Sequence, residues 1–156
     1  MRAYLAGPLG FSEAGRSFLY DRLIPALTAC GVEAVDPWTL TDPAAIEGAR
    51  DLPPGQRKQL AWRALNAVIA KTNVEAIDSC PLMIAVLDGT DVDSGTAAEI
   101  GYAFAKAKRI IGYRGDFRLA ADNEGCTVNL QVEYFIAASG GEIVRTLDDL
   151  VRAVAA

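Results

Sequence analysis

A single α/β domain, built on a five-stranded parallel sheet with helices on both faces, is what this chain predicts. Three observations carry it. Short runs of strand length alternate with longer runs of helical periodicity, an unbroken apolar run (Leu82 to Leu87) sits mid-chain, and an acidic, glycine-rich stretch follows that run directly. Strands alternating with helices imply a parallel sheet joined by right-handed crossovers. With 156 residues, 51% of them hydrophobic and 22% charged, the chain suffices for one core and is too short for two, so residues 1–156 read as one domain.

Arg2 to Ala6 reads as the first strand, ended by Gly7-Pro8. From Phe11 to Cys30, apolar residues at Phe11, Ala14, Phe18, Leu19, Leu23, Leu27 and Cys30 fall close to a helical period, and Pro25 predicts a kink near the end of that helix. Gly31 stops it, and Val32 to Val35 forms the second strand. Asp36 to Gly55, rich in Pro, Asp and Thr, reads as a long loop, and a loop of that length in a compact domain is functional or mobile. Gln56 to Asp78 predicts a second helix with Leu60, Ala64, Ala67, Val68 and Ile77 on its apolar side. Pro81 breaks it, Leu82 to Leu87 is the buried central strand, and Ser94 to Lys106 is the third helix. Arg109 to Tyr113 is the fourth strand, and an irregular polar loop runs on through Thr127. Val128 to Ser139 reads as helix, Glu142 to Val144 as a short fifth strand, and Leu147 to Ala155 as a closing helix.

Five such strands fit the flavodoxin-like order 2-1-3-4-5, whose switch point lies between strands one and three. Gly7-Pro8 and the stretch from Asp88 to Gly95 then face each other across a crevice at the carboxyl ends of those strands, where open sheets place their chemistry.

Composition narrows that chemistry. The chain has no histidine, so any acid, base or nucleophile comes mostly from carboxylates. A net charge of -5, a pI near 4.7 and the lack of a basic stripe argue against a nucleic-acid partner. Cys30, Cys80 and Cys126 are odd in number and widely spaced, with neither a CxxC pair nor zinc spacing, and read as reduced, buried thiols. No metal site and no cofactor is expected. The chain opens directly on a strand and has no apolar stretch near the roughly 20 residues a membrane span needs. The expectation is therefore a cytoplasmic protein without a signal peptide or membrane partner.

The densest carboxylate set is Asp88, Asp91, Asp93 and Glu99, within Asp88-Gly-Thr-Asp-Val-Asp-Ser-Gly-Thr-Ala-Ala-Glu-Ile-Gly-Tyr102. Several readings stand side by side. Thr96-Ala-Ala-Glu99 has the form of a capping box, in which the Glu side chain returns to the helix start. The aspartates could form turns or complement a helix dipole, and a divalent cation is a further reading. Tyr4-Leu-Ala-Gly7-Pro8-Leu-Gly10-Phe11 could cradle a phosphate, yet it lacks both GxGxxG and the P-loop lysine. Phe11 reads as a core aromatic or as a base-stacking platform, and the Tyr4 hydroxyl as one that reaches solvent.

Tyr4-Leu-Ala-Gly-Pro, Asp78, Asp93-Ser-Gly-Thr-Ala-Ala-Glu99-Ile-Gly-Tyr and Asn129-Leu together resemble the nucleoside 2-deoxyribosyltransferases. The resemblance runs from the first strand to the Asn129 helix. It implies a ping-pong exchange of bases on 2'-deoxyribonucleosides, with free nucleobases as acceptors. Glu99 would be the nucleophile that forms a deoxyribosyl ester, Tyr4 the residue that orients it, and Asp78 the carboxylate that contacts and protonates the base. Asp93 would accept a hydrogen bond from the sugar 5'-hydroxyl. Asn129 would join it from a neighbouring subunit of a dimer-based, possibly hexameric, homo-oligomer. Gly7 would let the ligand approach closely, and Phe11 completes the substrate-binding set.

The chain ends Val-Ala-Ala, whereas the family's well-studied members end in an aromatic residue whose carboxylate reaches the base pocket. Base selection is then expected to be arranged differently. The nearest rival is a nucleoside or nucleoside 5'-monophosphate N-glycosidase of the same fold. Relatives of that kind tend to carry small hydroxyl residues where this chain has Asp93 and Asn129. A carboxylate repels a 5'-phosphate but accepts well from a 5'-hydroxyl. Arg16 leans toward phosphate or is simply a solvated helix residue. A non-catalytic nucleotide-binding module, in which Glu99 only caps a helix, is the reading from another class.

Overall fold

The computed structural model describes residues 1–155. Five parallel strands, β1 (Arg2–Ala6), β2 (Glu33–Val35), β3 (Leu82–Val86), β4 (Arg109–Tyr113) and β5 (Ile143–Val144), form one sheet in the order β2-β1-β3-β4-β5. The register sets Tyr4 beside Met83 and Ala6 beside Ala85, so β1 and β3 end level with each other. All five residues of β3 are buried, as befits a central strand covered on both faces.

Successive strand residues point to opposite faces, and the core divides accordingly. Tyr4, Ala6, Met83, Ala85 and Ile110 pack on one side with Ile77, Ile100, Val132 and Ile136. Ala3, Leu5, Leu82, Ile84 and Ile111 pack on the other with Leu19, Leu23, Leu27, Leu150 and Val154. The first face is covered by α4 (Gln56–Ser79), α5 (Ser94–Ala105) and α6 (Leu130–Ala138). The second is covered by α1 (Glu13–Phe18), α2 (Ile24–Ala29) and α7 (Leu147–Ala155).

The expected first helix is interrupted upstream of Pro25. A wide π turn over Leu19–Leu23 separates α1 from α2, and the Ile24 N–H reaches the Leu19 carbonyl. Pro25 has no N–H for a regular ladder, and a local widening of the helix absorbs the mismatch. The segment read as a long loop, Asp36 to Gly55, is largely structured. Asp36 caps a short 3-10 turn, Pro37–Thr39, and Asp42 caps α3 (Pro43–Arg50). Each begins with an Asp-Pro pair, which supplies an N-cap oxygen and then a residue that needs no hydrogen-bond partner. Loop composition and helix-start chemistry share those residues, and periodicity over so few positions cannot separate them.

α4 is also turned differently from expectation. Ile77 is core, but Leu60, Ala64, Ala67 and Val68 face outward. Ile69, Thr72 and Asn73 face inward instead. Asn129 caps α6, so that helix starts at Leu130 rather than Val128. The three cysteines are free thiols, Cys80 buried and the others partly so. Among the described residues, no helix is long and apolar enough to cross a membrane, and no group of His, Cys, Asp or Glu is arranged to hold a metal ion.

Candidate active site

β1 delivers Tyr4 with its ring fully buried, and its hydroxyl crosses to α5 rather than reaching solvent. It donates to Glu99 Oε1 at 2.6 Å. Burial pushes the Tyr4 phenol far above its ordinary value, reinforced by the hydrogen bond to Glu99, by that carboxylate's charge and by Asp36 and Cys80. The phenol is therefore held protonated, as the donor to Glu99. Burial also raises the Glu99 carboxyl; the Tyr4 hydroxyl pulls it back down, and the charge of Asp93 adds to the rise.

The capping-box reading of Glu99 fails on geometry. α5 begins at Ser94, its cap is Asp93, and the third position is Thr96. Asp93 Oδ2 accepts from the Thr96 backbone N–H at 2.9 Å and from its hydroxyl at 3.1 Å. Glu99 lies two turns in, past any reach to the helix start, and its side chain turns to Tyr4. Asp88 and Asp91 shape the loop before the helix. Asp88 Oδ1 accepts from Asp116 N at 2.9 Å, and Asp91 Oδ1 from Val92 N at 2.7 Å.

Glu99 and Asp93 open onto a cavity of about 390 Å³ at the carboxyl ends of β1 and β3. Gly7 lines it. A Cβ there would come within 2.9 Å of Val86 Cβ, so the glycine is needed for packing against β3 as well as for access to the crevice. Phe11 lines it too, and is a wall rather than core: it is 73% exposed and meets Trp38 edge-to-face at 4.6 Å. The Trp38 backbone is held by buried Asp36, which accepts from the Trp38 main-chain N–H at 3.1 Å and the Tyr20 hydroxyl at 2.9 Å. Gly10 makes room for the indole, since a Cβ there would fall 2.1 Å from Trp38 Cδ2. To the same cavity α4 contributes Asn66, Ile69 and Asn73, a spacing that puts all three on one helical face.

The structure thus brings Tyr4, Gly7, Phe11, Asp93 and Glu99 together. It does not bring Asp78 to them. Asp78 sits at the end of α4, beside the amino end of β3, where both its oxygens accept from the Tyr102 hydroxyl at 3.1 Å and Lys106 lies 3.5 Å away. Asn129 is likewise outside the cavity of its own chain. Its Oδ1 caps α6 through Gln131 N and Val132 N, and its Nδ2 donates to Asp122. Arg16 is exposed but engaged, donating to the Gly10 carbonyl at 3.1 Å. Trp38, Asn66, Ile69 and Asn73 line the cavity without a motif in the sequence to mark them. The helical spacing of the α4 trio was legible, but nothing local marked that face as the one turned to the site.

A part-buried carboxylate beside a protonated phenol, in a cavity lined by aromatic and carboxamide side chains, defines a carboxylate-centred pocket on a flavodoxin-like sheet. Its wider affiliation is clear from kinship. The chain belongs to the nucleoside 2-deoxyribosyltransferase family, whose model matches residues 3–131. An uncharacterized protein of Schizosaccharomyces pombe is 32% identical over 120 residues, covering 74% of this chain, and the chain spans about half (51%) of that relative's length. The 2-desoxiribosyltransferase of Leishmania mexicana shares the fold at a TM-score of 0.64 and 22% identity, over 99% of this chain and 94% of its own. A CMP N-glycosidase of Clostridium botulinum does so at 0.57 and 23%, over 99% and 98%.

Proposed function

We propose that this protein exchanges the base of 2'-deoxyribonucleosides by double displacement through Glu99. The observation that carries the reading is Glu99, held by Tyr4, opening on a cavity lined by Phe11, Trp38, Asn66 and Asn73. Tyr4 occupies Oε1 and leaves Oε2 for the substrate. Oε2 attacks C1', the C1'–N bond breaks with its electron pair going to the base nitrogen, and the departing base takes up a proton from water. A glycosyl ester remains. A ring nitrogen of a second base then attacks C1', expels the carboxylate and loses its proton to water. Each step passes through an oxocarbenium-like state that a nearby carboxylate stabilises.

In this scheme Asp93 accepts from the 5'-hydroxyl with the oxygen not used on Thr96, while the perpendicular Phe11 and Trp38 rings offer the base one face to stack on and one edge. Asn66 and Asn73 face the base edge, the part that the family resemblance implies for Asp78. Asn129 would act in the cavity of a neighbouring copy, making the working form a homo-oligomer. The rival N-glycosidase reading draws on the shared fold with the Clostridium protein. The two carboxylates in the cavity weigh against a 5'-phosphate ligand.

The test is chromatography of 2'-deoxyinosine or thymidine incubated with the protein, with and without adenine, beside Glu99→Ala. Deoxyadenosine formed only with adenine, and lost in the variant, is expected. Free base released without exchange would move the assignment to a hydrolase, with deoxynucleoside monophosphates tried next. No turnover by the folded protein would leave a binding module.

A further inference from the structure

Arg114 is the largest fully buried side chain of the protein, at 0% exposure, and the site as described does not use it. Burying a guanidinium is costly unless its donors and charge are satisfied. Among the described residues no carboxylate pairs with it; its partners are backbone carbonyls. Nη1 donates to Leu87 O, Nη2 to Gly89 O at 3.1 Å and to Arg118 O at 2.7 Å, and Nε to Arg118 O at 3.3 Å.

Those carbonyls belong to two loops. Leu87 and Gly89 open the segment that leaves β3 and ends at Asp93, the cap of α5. Gly89 takes a backbone conformation (φ +134°) that other residues rarely adopt, so the chain turns sharply at the point Arg114 grips. Arg118 lies in the loop after β4, which is stitched to the first loop by Asp116 N on Asp88 Oδ1. From its place directly after β4, where its own N–H donates to Val144 O of β5 at 2.9 Å, Arg114 joins both loops to the rigid sheet.

We infer that Arg114 is a positioning residue for the sugar side of the site: it fixes the Leu87–Asp93 loop so that the Asp93 carboxylate meets the substrate's 5'-hydroxyl. A planar guanidinium with five donors in fixed directions can hold carbonyls from two loops at once; a lysine or an apolar side chain of similar length cannot. The inference rests on the proposed use of Asp93 in nucleoside binding.

The test compares wild type, Arg114→Met and Arg114→Lys on 2'-deoxyinosine and on the same nucleoside lacking its 5'-hydroxyl. Arg114→Met is expected to lower kcat/KM for 2'-deoxyinosine by about ten-fold, the scale of one charge-assisted hydrogen bond. For the 5'-deoxy compound, which cannot make that bond, the change should stay within about two-fold on the same reasoning. Arg114→Lys should show the same split, smaller, and serves alone if the methionine variant does not fold. Equal losses on both substrates, or none on either, would overturn the inference. Should the wild type turn over no nucleoside, the proposed function falls by itself, and amide hydrogen exchange then decides on Arg114. Faster exchange confined to residues 88–93 and 116–118 supports the positioning role, whereas uniform or unchanged exchange refutes it.

Discussion

Replacing Tyr4 with phenylalanine isolates the one contact on which the proposed chemistry turns. The ring is fully buried and its hydroxyl is 2.6 Å from Glu99 Oε1, so the substitution removes an oxygen and leaves the packing almost unchanged. Glu99 must be ionised to attack, so kcat/KM should rise with pH as it loses its proton. Burial already raises its pKa, and the Tyr4 hydrogen bond is what holds it down. Without the hydroxyl the carboxylate loses a charge-assisted hydrogen bond worth about 1.5–3 kcal/mol. At about 1.4 kcal/mol per pH unit, and with water recovering part of the loss, the acid limb should move up by about one pH unit. Tyr4 itself contributes no limb, because its phenol stays protonated throughout. The assay is kcat/KM for base exchange from pH 4 to 9 in both proteins, with thermal unfolding as the control for folding. A limb that stays in place, or moves down, would refute the claim that this hydrogen bond sets the ionisation of Glu99.

Two further expectations follow from the same geometry. Glu99→Gln should abolish exchange and yet raise the melting temperature at pH 7–8 by roughly 2–4 °C, the response of a domain this size to about 1 kcal/mol. The sign is fixed by linkage: the folded-state pKa of Glu99 is raised, so its contribution to stability is complete below the ordinary carboxylate range and lost as pH rises through the folded value. The advantage of the variant should therefore shrink toward pH 4, and a gap that widens there would contradict it. Gly10→Ala should displace Trp38, because the new methyl would fall 2.1 Å from the indole. A loss of about 1–3 kcal/mol in denaturant unfolding together with a raised KM is expected; an unchanged KM would show that the aromatic wall does not touch the ligand.

Much of this architecture could be read directly from the chain because it is written in local periods and stops. Strand-length runs such as Arg109–Tyr113, the stop at Gly31 and the break at Pro81 belong to single segments, and strand-helix alternation leaves few topologies open. The Asp36–Gly55 stretch differs from the expected loop for the opposite reason. Its two Asp-Pro starts carry helix information in one or two residues each, which composition cannot distinguish from a loop. The buried face of α4 is not legible because an alanine- and valine-rich helix is apolar on more than one side, and only its neighbours select which side is buried.

The site divides along the same line. The sequence by itself determined which residue types were available, a chain without histidine whose carboxylates crowd between β3 and α5, and it set Asp93 and Glu99 a fixed six residues apart. Tertiary structure alone decided that Tyr4 meets Glu99 across 95 residues of chain. It also gathered Trp38, Asn66 and Asn73 around one cavity, and left Asp78 with Tyr102 and Lys106. Hydrophobic burial and parallel pairing of β1 with β3 create those meetings. They are properties of the packed sheet, and no spacing along a single segment can express them.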